Sequence, residues 1–151
     1  MKIFHFIFLL AIALIACKPN SGGVKTPEMP ATADVAAYED TIMKIHDEVM
    51  PKMTDLNRLE TTLRNIRIEA GKSEMGSAAI PPGIDDMIAS VKAAQNQMLD
   101  WMEYYSAMRS KLEPDKLMEF MKSEIAKITL VSKKINDTID NAKAWLEAHP
   151  S

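Results

Sequence analysis

Met43, His46, Met50 and Met53 recur at intervals of three, four and three residues, a spacing that sets one imidazole and three thioethers along a single helical stripe. Both groups are ligands for copper(I), and a His-Met pair also ligates haem iron inside helical bundles. His46 is the one histidine within an expected helix, because His5 lies in an apolar leader and His149 at the C-terminal end. Antiparallel packing of the helices set out below brings Met108 and Met121 to a similar height. His46, Met50, Met53, Met108 and Met121 are therefore the candidate metal set, with copper or haem as its cofactor. Asp47 and Glu103 are candidates to orient the imidazole. A second account needs no ligand: methionine fills irregular gaps and packs well on the rings of Trp101, Tyr104, Tyr105 and Phe120. In a third, Met43, Trp101, Met102 and Tyr105 form an adaptable surface for a partner protein.

No catalytic residue is assigned. The segment His46-Asp47-Glu48-Val49-Met50 lacks the second histidine of a zinc-protease HExxH motif, and there is no glycine-rich phosphate cradle. Cys17 is the single cysteine, so the chain can form no internal disulfide and contains no CxxCH for covalent haem attachment.

Cys17 has a chemistry of its own. Lys2 is followed by an apolar run from Ile3 to Ala16, interrupted only by His5, which is the pattern of a secretory signal. The run is shorter than the roughly 20 apolar residues that span a bilayer. Its end, Leu14-Ile15-Ala16-Cys17, resembles the lipobox of bacterial lipoprotein precursors, with a small residue before the cut and a cysteine after it. That resemblance implies cleavage after residue 16 and lipidation of Cys17. Several acyl chains, at about 0.8 kcal/mol per buried CH₂, hold a protein on a membrane far more firmly than one. Lys18 stands where a signal for inner-membrane retention commonly has aspartate, which favours the outer membrane.

Without Lys2, seventeen basic and twenty-one acidic side chains are left, a net charge of −4 with no basic block. That argues against nucleic acid as a partner, because phosphate capture depends on clustered Lys and Arg. From Lys18 to Ala33, three prolines and two adjacent glycines accompany almost no large apolar side chain, the composition of a flexible tether. The expected division is a signal peptide over 1–16, a lipidated cysteine and tether over 17–33, and one helical domain over 34–151.

Three segments of that domain carry the helical period. The first runs through Val35, Tyr38, Ile42, Ile45, Val49, Leu56, Leu59, Leu63, Ile66 and Ala70, with Pro51 expected to bend it. Gly71, Gly76 and Pro81-Pro82 mark a loop. A second stripe follows at Ile84, Met87, Val91, Ala94, Met98, Trp101, Tyr105, Met108 and Leu112. Pro114 then suits the first turn of a third helix, whose stripe is Met118, Met121, Ile125, Ile128, Ser132, Ile135, Ile139, Ala142 and Leu146. The expected fold is all-α, an antiparallel up-down-up bundle of three long helices. Its heptad spacing also admits a homodimer through an incompletely covered seam. Counting from Ala70 opposite Ile84 sets His46 level with Met108, and Met108 level with Phe120, at the end nearest the tether.

The segments HDEVMPKM at 46–53 and DWMEYY at 100–105 resemble small helical lipoproteins of Bacteroidota often labelled "viral A-type inclusion protein". The resemblance implies a signal peptide, a lipidated Cys17 and a helical ectodomain, with His46, Met50, Pro51, Met53, Trp101 and Met102 as its recognisable residues. It implies no activity. Surface-exported relatives tend to carry acidic residues soon after the cysteine, whereas residues 18–23 here have none, so attachment facing the periplasm is expected. The functional expectation is a noncatalytic envelope lipoprotein that binds or scaffolds another envelope protein.

Overall fold

The computed structural model describes residues 31–150, with the backbone alone for 31–33, 77 and 78. The expected signal peptide, Cys17 and nearly all of the expected tether lie outside the described residues. Those described form an all-α protein of four helices: α1 (Ala31–Val49), α2 (Lys52–Gly71), α3 (Ile84–Arg109) and α4 (Pro114–Ala148). A short 3-10 turn at Gly76–Ala79 lies between α2 and α3. No strand occurs among the described residues.

The first segment is two helices where one bent helix was expected. Pro51 has no N–H for the carbonyl of Asp47, and the ladder tightens around it: Met53 N–H reaches the Met50 carbonyl at 3.1 Å and Thr54 N–H the Pro51 carbonyl at 3.2 Å. Pro51 nevertheless keeps helical dihedrals, φ −58° and ψ −29°, so α2 continues in the sense of α1. The other boundaries follow local chemistry. Gly83 takes the left-handed conformation, φ 78°, that turns the chain into α3. Pro114 occupies the first turn of α4, where its missing donor is harmless.

Paired contacts give the directions. Arg67 meets Asp85 and the Gln95 amide reaches Asn57 at 2.8 Å, so α2 and α3 are antiparallel. Trp101 bonds Glu124 and Tyr105 lies over Phe120, so α3 and α4 are antiparallel as well. Lys122 lies over the Tyr38 ring and Lys52 bonds Asn136, a constant offset along the chain that makes the first arm parallel to α4. The interior is filled by the predicted stripes, with Ile42, Leu56, Leu63, Val91, Met98, Met121, Ile128 and Ile135 all fully buried. Burying a side chain of this size contributes about 1.5–3 kcal/mol, which is why the helical period sets the fold.

One charged residue sits in that interior. Glu124 is completely buried, accepting from Trp101 Nε1 at 2.9 Å and from Lys127 Nζ at 2.6 Å. Position 124 borders the predicted stripe between Met121 and Ile128, so the helix carries it into the core, and these donors offset its desolvation.

Candidate functional site

A groove of about 490 Å³ opens between α1 and α3, lined by Met43, His46, Trp101, Met102, Tyr105, Ser106, Arg109 and Ser110. Its volume is within the range of small-ligand sites. It lies in the half of the bundle nearer the N-terminal end of α1, because Arg109 grips Glu39 through two bonds of 3.1 Å. All four residues of the expected interaction surface, Met43, Trp101, Met102 and Tyr105, are in this lining.

The candidate metal set is distributed differently. His46 lines the groove, while Met50, Met53 and Met108 are half-buried against the core and Met121 is fully buried. None of these four methionines is in the lining. The height of His46 also differs from expectation: its ring lies 6.0 Å from Trp101, two helical turns from Met108. Arg67 opposite Asp85 and Asn57 opposite Gln95 already stand two residues off the count from Ala70 and Ile84, and the rest of the difference accrues between Asn57 and His46, across Pro51.

Aromatic contacts build one wall. Trp101 and Tyr105 stack at 5.2 Å, and Tyr105 stacks on Phe120 at 5.9 Å. The indole is held by its bond to Glu124, which locks its orientation from the core side. Ion pairing to Glu124 raises the pKa of Lys127, first through their hydrogen bond and then through charge. Lys127 also lies 4.6 Å from the Tyr104 ring centroid.

A polar rim closes the other end. Burial, reinforced by the negative Glu39, pushes the Tyr105 hydroxyl up to about 12. That hydroxyl lies 3.5 Å from Glu39 Oε1 and 3.6 Å from Met121 Sδ, so its one hydrogen has two acceptors. The Glu39 bond raises the Arg109 pKa as well.

His46 is mostly buried, and its Nδ1 lies 2.9 Å from Asp47 Oδ1. Asp47 thus orients the ring, as the sequence suggested. Glu103 is exposed, with no bond to His46. Ser106 and Ser110 share the lining, but no hydrogen bond joins either to His46 among the described residues. Nor do three His, Cys, Asp or Glu side chains gather closely enough there to hold a metal ion. Glu39, Arg109 and Glu124 escaped the sequence reading. Only Glu124 had a local signal, its place beside the apolar stripe.

Comparison with known proteins gives no match to a family model, to a curated protein or to a solved structure.

Proposed function

We propose that the chain is a noncatalytic lipoprotein of the bacterial envelope, anchored through Cys17 to the outer membrane and facing the periplasm, where its helical domain binds another envelope protein. The observation that carries the binding role is the α1/α3 groove, in which Trp101 and Tyr105 form an apolar floor beside the adaptable thioethers of Met43 and Met102. Such a surface suits a protein segment that inserts an apolar side chain, as helix-in-groove partners do. Sequence supports the anchor: the lipobox at 14–17, and a Pro/Gly-rich tether that leaves the domain free to reach. No described helix is long and apolar enough to cross a membrane. The three-arm bundle supplies a stiff body that carries the groove.

Labelled palmitate tests the anchor. Incorporation into the wild-type chain, its loss in Cys17→Ala, and recovery of the wild type with outer membranes are expected; label retained by Cys17→Ala overturns this part. For binding, a photocrosslinking residue is placed at position 43 in living cells and, as a control, at exposed Leu130 on α4. A discrete adduct from position 43 that disappears with Trp101→Ala supports docking in the groove. Equal adducts from both positions, or none from 43, overturn it.

A further inference from the structure

We infer that His46, Met43 and Met102 bind a single soft monovalent ion, copper(I) or silver(I), against the indole of Trp101. This assignment goes beyond protein docking, and it draws on a different set of methionines from the helical stripe of the sequence.

The imidazole is prepared to be a ligand. Nδ1 lies 2.9 Å from Asp47 Oδ1, and a proton shared there leaves the lone pair on Nε2, the arrangement by which a carboxylate orients a metal-binding histidine. The ring is largely withdrawn from water yet contributes to the groove wall.

Two thioethers share that wall. Met43 precedes His46 by three residues and so lies on the same side of α1, whereas Met102 arrives from α3. They differ from the methionines that fill the core. Met98 and Met121 are completely buried, while Met43 is 39% exposed and both groove methionines border open volume. Gap filling accounts for the first pair, whereas Met43 and the half-buried Met102, which also packs against the core, keep a side on the groove.

The chemistry of the lining selects the ion. Its possible donors are one imidazole, two thioethers and the hydroxyls of Tyr105, Ser106 and Ser110, all neutral, with no carboxylate among the eight lining residues. Hard and divalent ions are better served by oxygen and by anionic ligands, whereas copper(I) and silver(I) favour the imidazole and the thioethers. The one cation of the lining, Arg109, is paired with Glu39. Trp101 lies beside the imidazole with its orientation locked, and its π face attracts a partly dehydrated cation.

The test uses the full lipoprotein in detergent, carrying Trp145→Phe so that Trp101 is the sole indole. Silver(I) nitrate in chloride-free buffer, and copper(I) under nitrogen against a chromogenic copper(I) chelator, are expected to quench Trp101 fluorescence saturably with one ion per chain. His46→Gln abolishes the quenching, Met43→Leu and Met102→Leu each weaken binding, and Asp47→Asn weakens it about tenfold. Met53→Leu and Met108→Leu leave it unchanged. Absence of saturable quenching, or wild-type affinity in His46→Gln, overturns the assignment. A second measurement needs no groove variant: silver(I) is expected to protect Met43 and Met102 from peroxide oxidation while exposed Met75 oxidises as before. Equal oxidation of Met43 and Met102 with and without silver also overturns it. Failure of the metal site leaves crosslinking from position 43 in cells untouched, so the two readings fail separately.

Discussion

Trp101 donates its indole N–H to Glu124 at 2.9 Å, joining α3 to α4 through a carboxylate that has no contact with water. The bond does two things at once: it satisfies a charge inside the bundle, and it fixes one wall of the groove. Glu124→Ala leaves the indole donor without its partner and Lys127 without its counter-charge. A loss of about 2–4 kcal/mol is expected from denaturant unfolding. Glu124→Gln retains an acceptor and is expected to cost about half as much.

Alkaline titration should show Tyr105 apart. Its hydroxyl is pushed up to about 12, against an ordinary value near 10, so the folded state holds the proton more tightly than the unfolded state. This contribution to stability is complete below about pH 10 and is lost as pH rises towards 12, amounting to about 1 kcal/mol once solvent screening is allowed for. Tyrosinate absorbance is expected to show a late step that is absent in Tyr105→Phe. Glu39→Gln removes a negative neighbour and moves that step to lower pH. It stays above 10, because burial is the larger cause.

Two glycines should respond in opposite directions. Gly83 sits at φ 78°, where a side chain is strained although its Cβ would be in ordinary contact, 3.6 Å from Trp145 Nε1. Gly83→Ala is expected to cost about 1 kcal/mol. Gly71 ends α2 with nothing near its added Cβ, so Gly71→Ala is expected to stabilise by about 0.5 kcal/mol. Thermal melts of the two variants check the signs, and a gain from Gly83→Ala would contradict the strain argument.

Exposed Leu130 provides a contrast with the groove. At 66% exposure it has little burial to lose, so Leu130→Ser is expected to change stability by less than about 0.5 kcal/mol. Trp101→Ala, by contrast, removes a large buried ring as well as the donor to Glu124, at about 3–5 kcal/mol. Equilibrium unfolding of both variants in parallel tests whether the energetic weight lies on the α3 and α4 faces assigned here.

The apolar stripes were legible because burial repeats with the helix: Ile42, Val49, Leu56 and Leu63 meet the interior at intervals of seven, and Pro114 announces α4 by its own backbone chemistry. Glu124 was not legible, since a carboxylate at a core position is understood only when its donors, Trp101 and Lys127, are known. Gln95 is similar, being buried with its amide bonded to Asn57. The height of His46 was lost for another reason. Counting along a helix needs a correct starting pair and an unbroken helix; Arg67 facing Asp85 shows the start two residues off, and the missing N–H at Pro51 interrupts the rest. The members of the expected interaction surface, Met43, Trp101, Met102 and Tyr105, share one groove.

The parallel pairing of the first arm with α4 has a mechanical consequence. A pull applied at the N-terminal end of α1 enters beside α4, which runs unbroken for 35 residues alongside both α1 and α2. A pull along the axis therefore loads the α1/α4 seam in shear, with many side chains resisting together, rather than peeling them apart one after another. α4 acts as a splint across Pro51. If a partner grips the groove, tension between the start of α1 and that partner is confined to the near half of the molecule, and α2 with its loop is spared the strain.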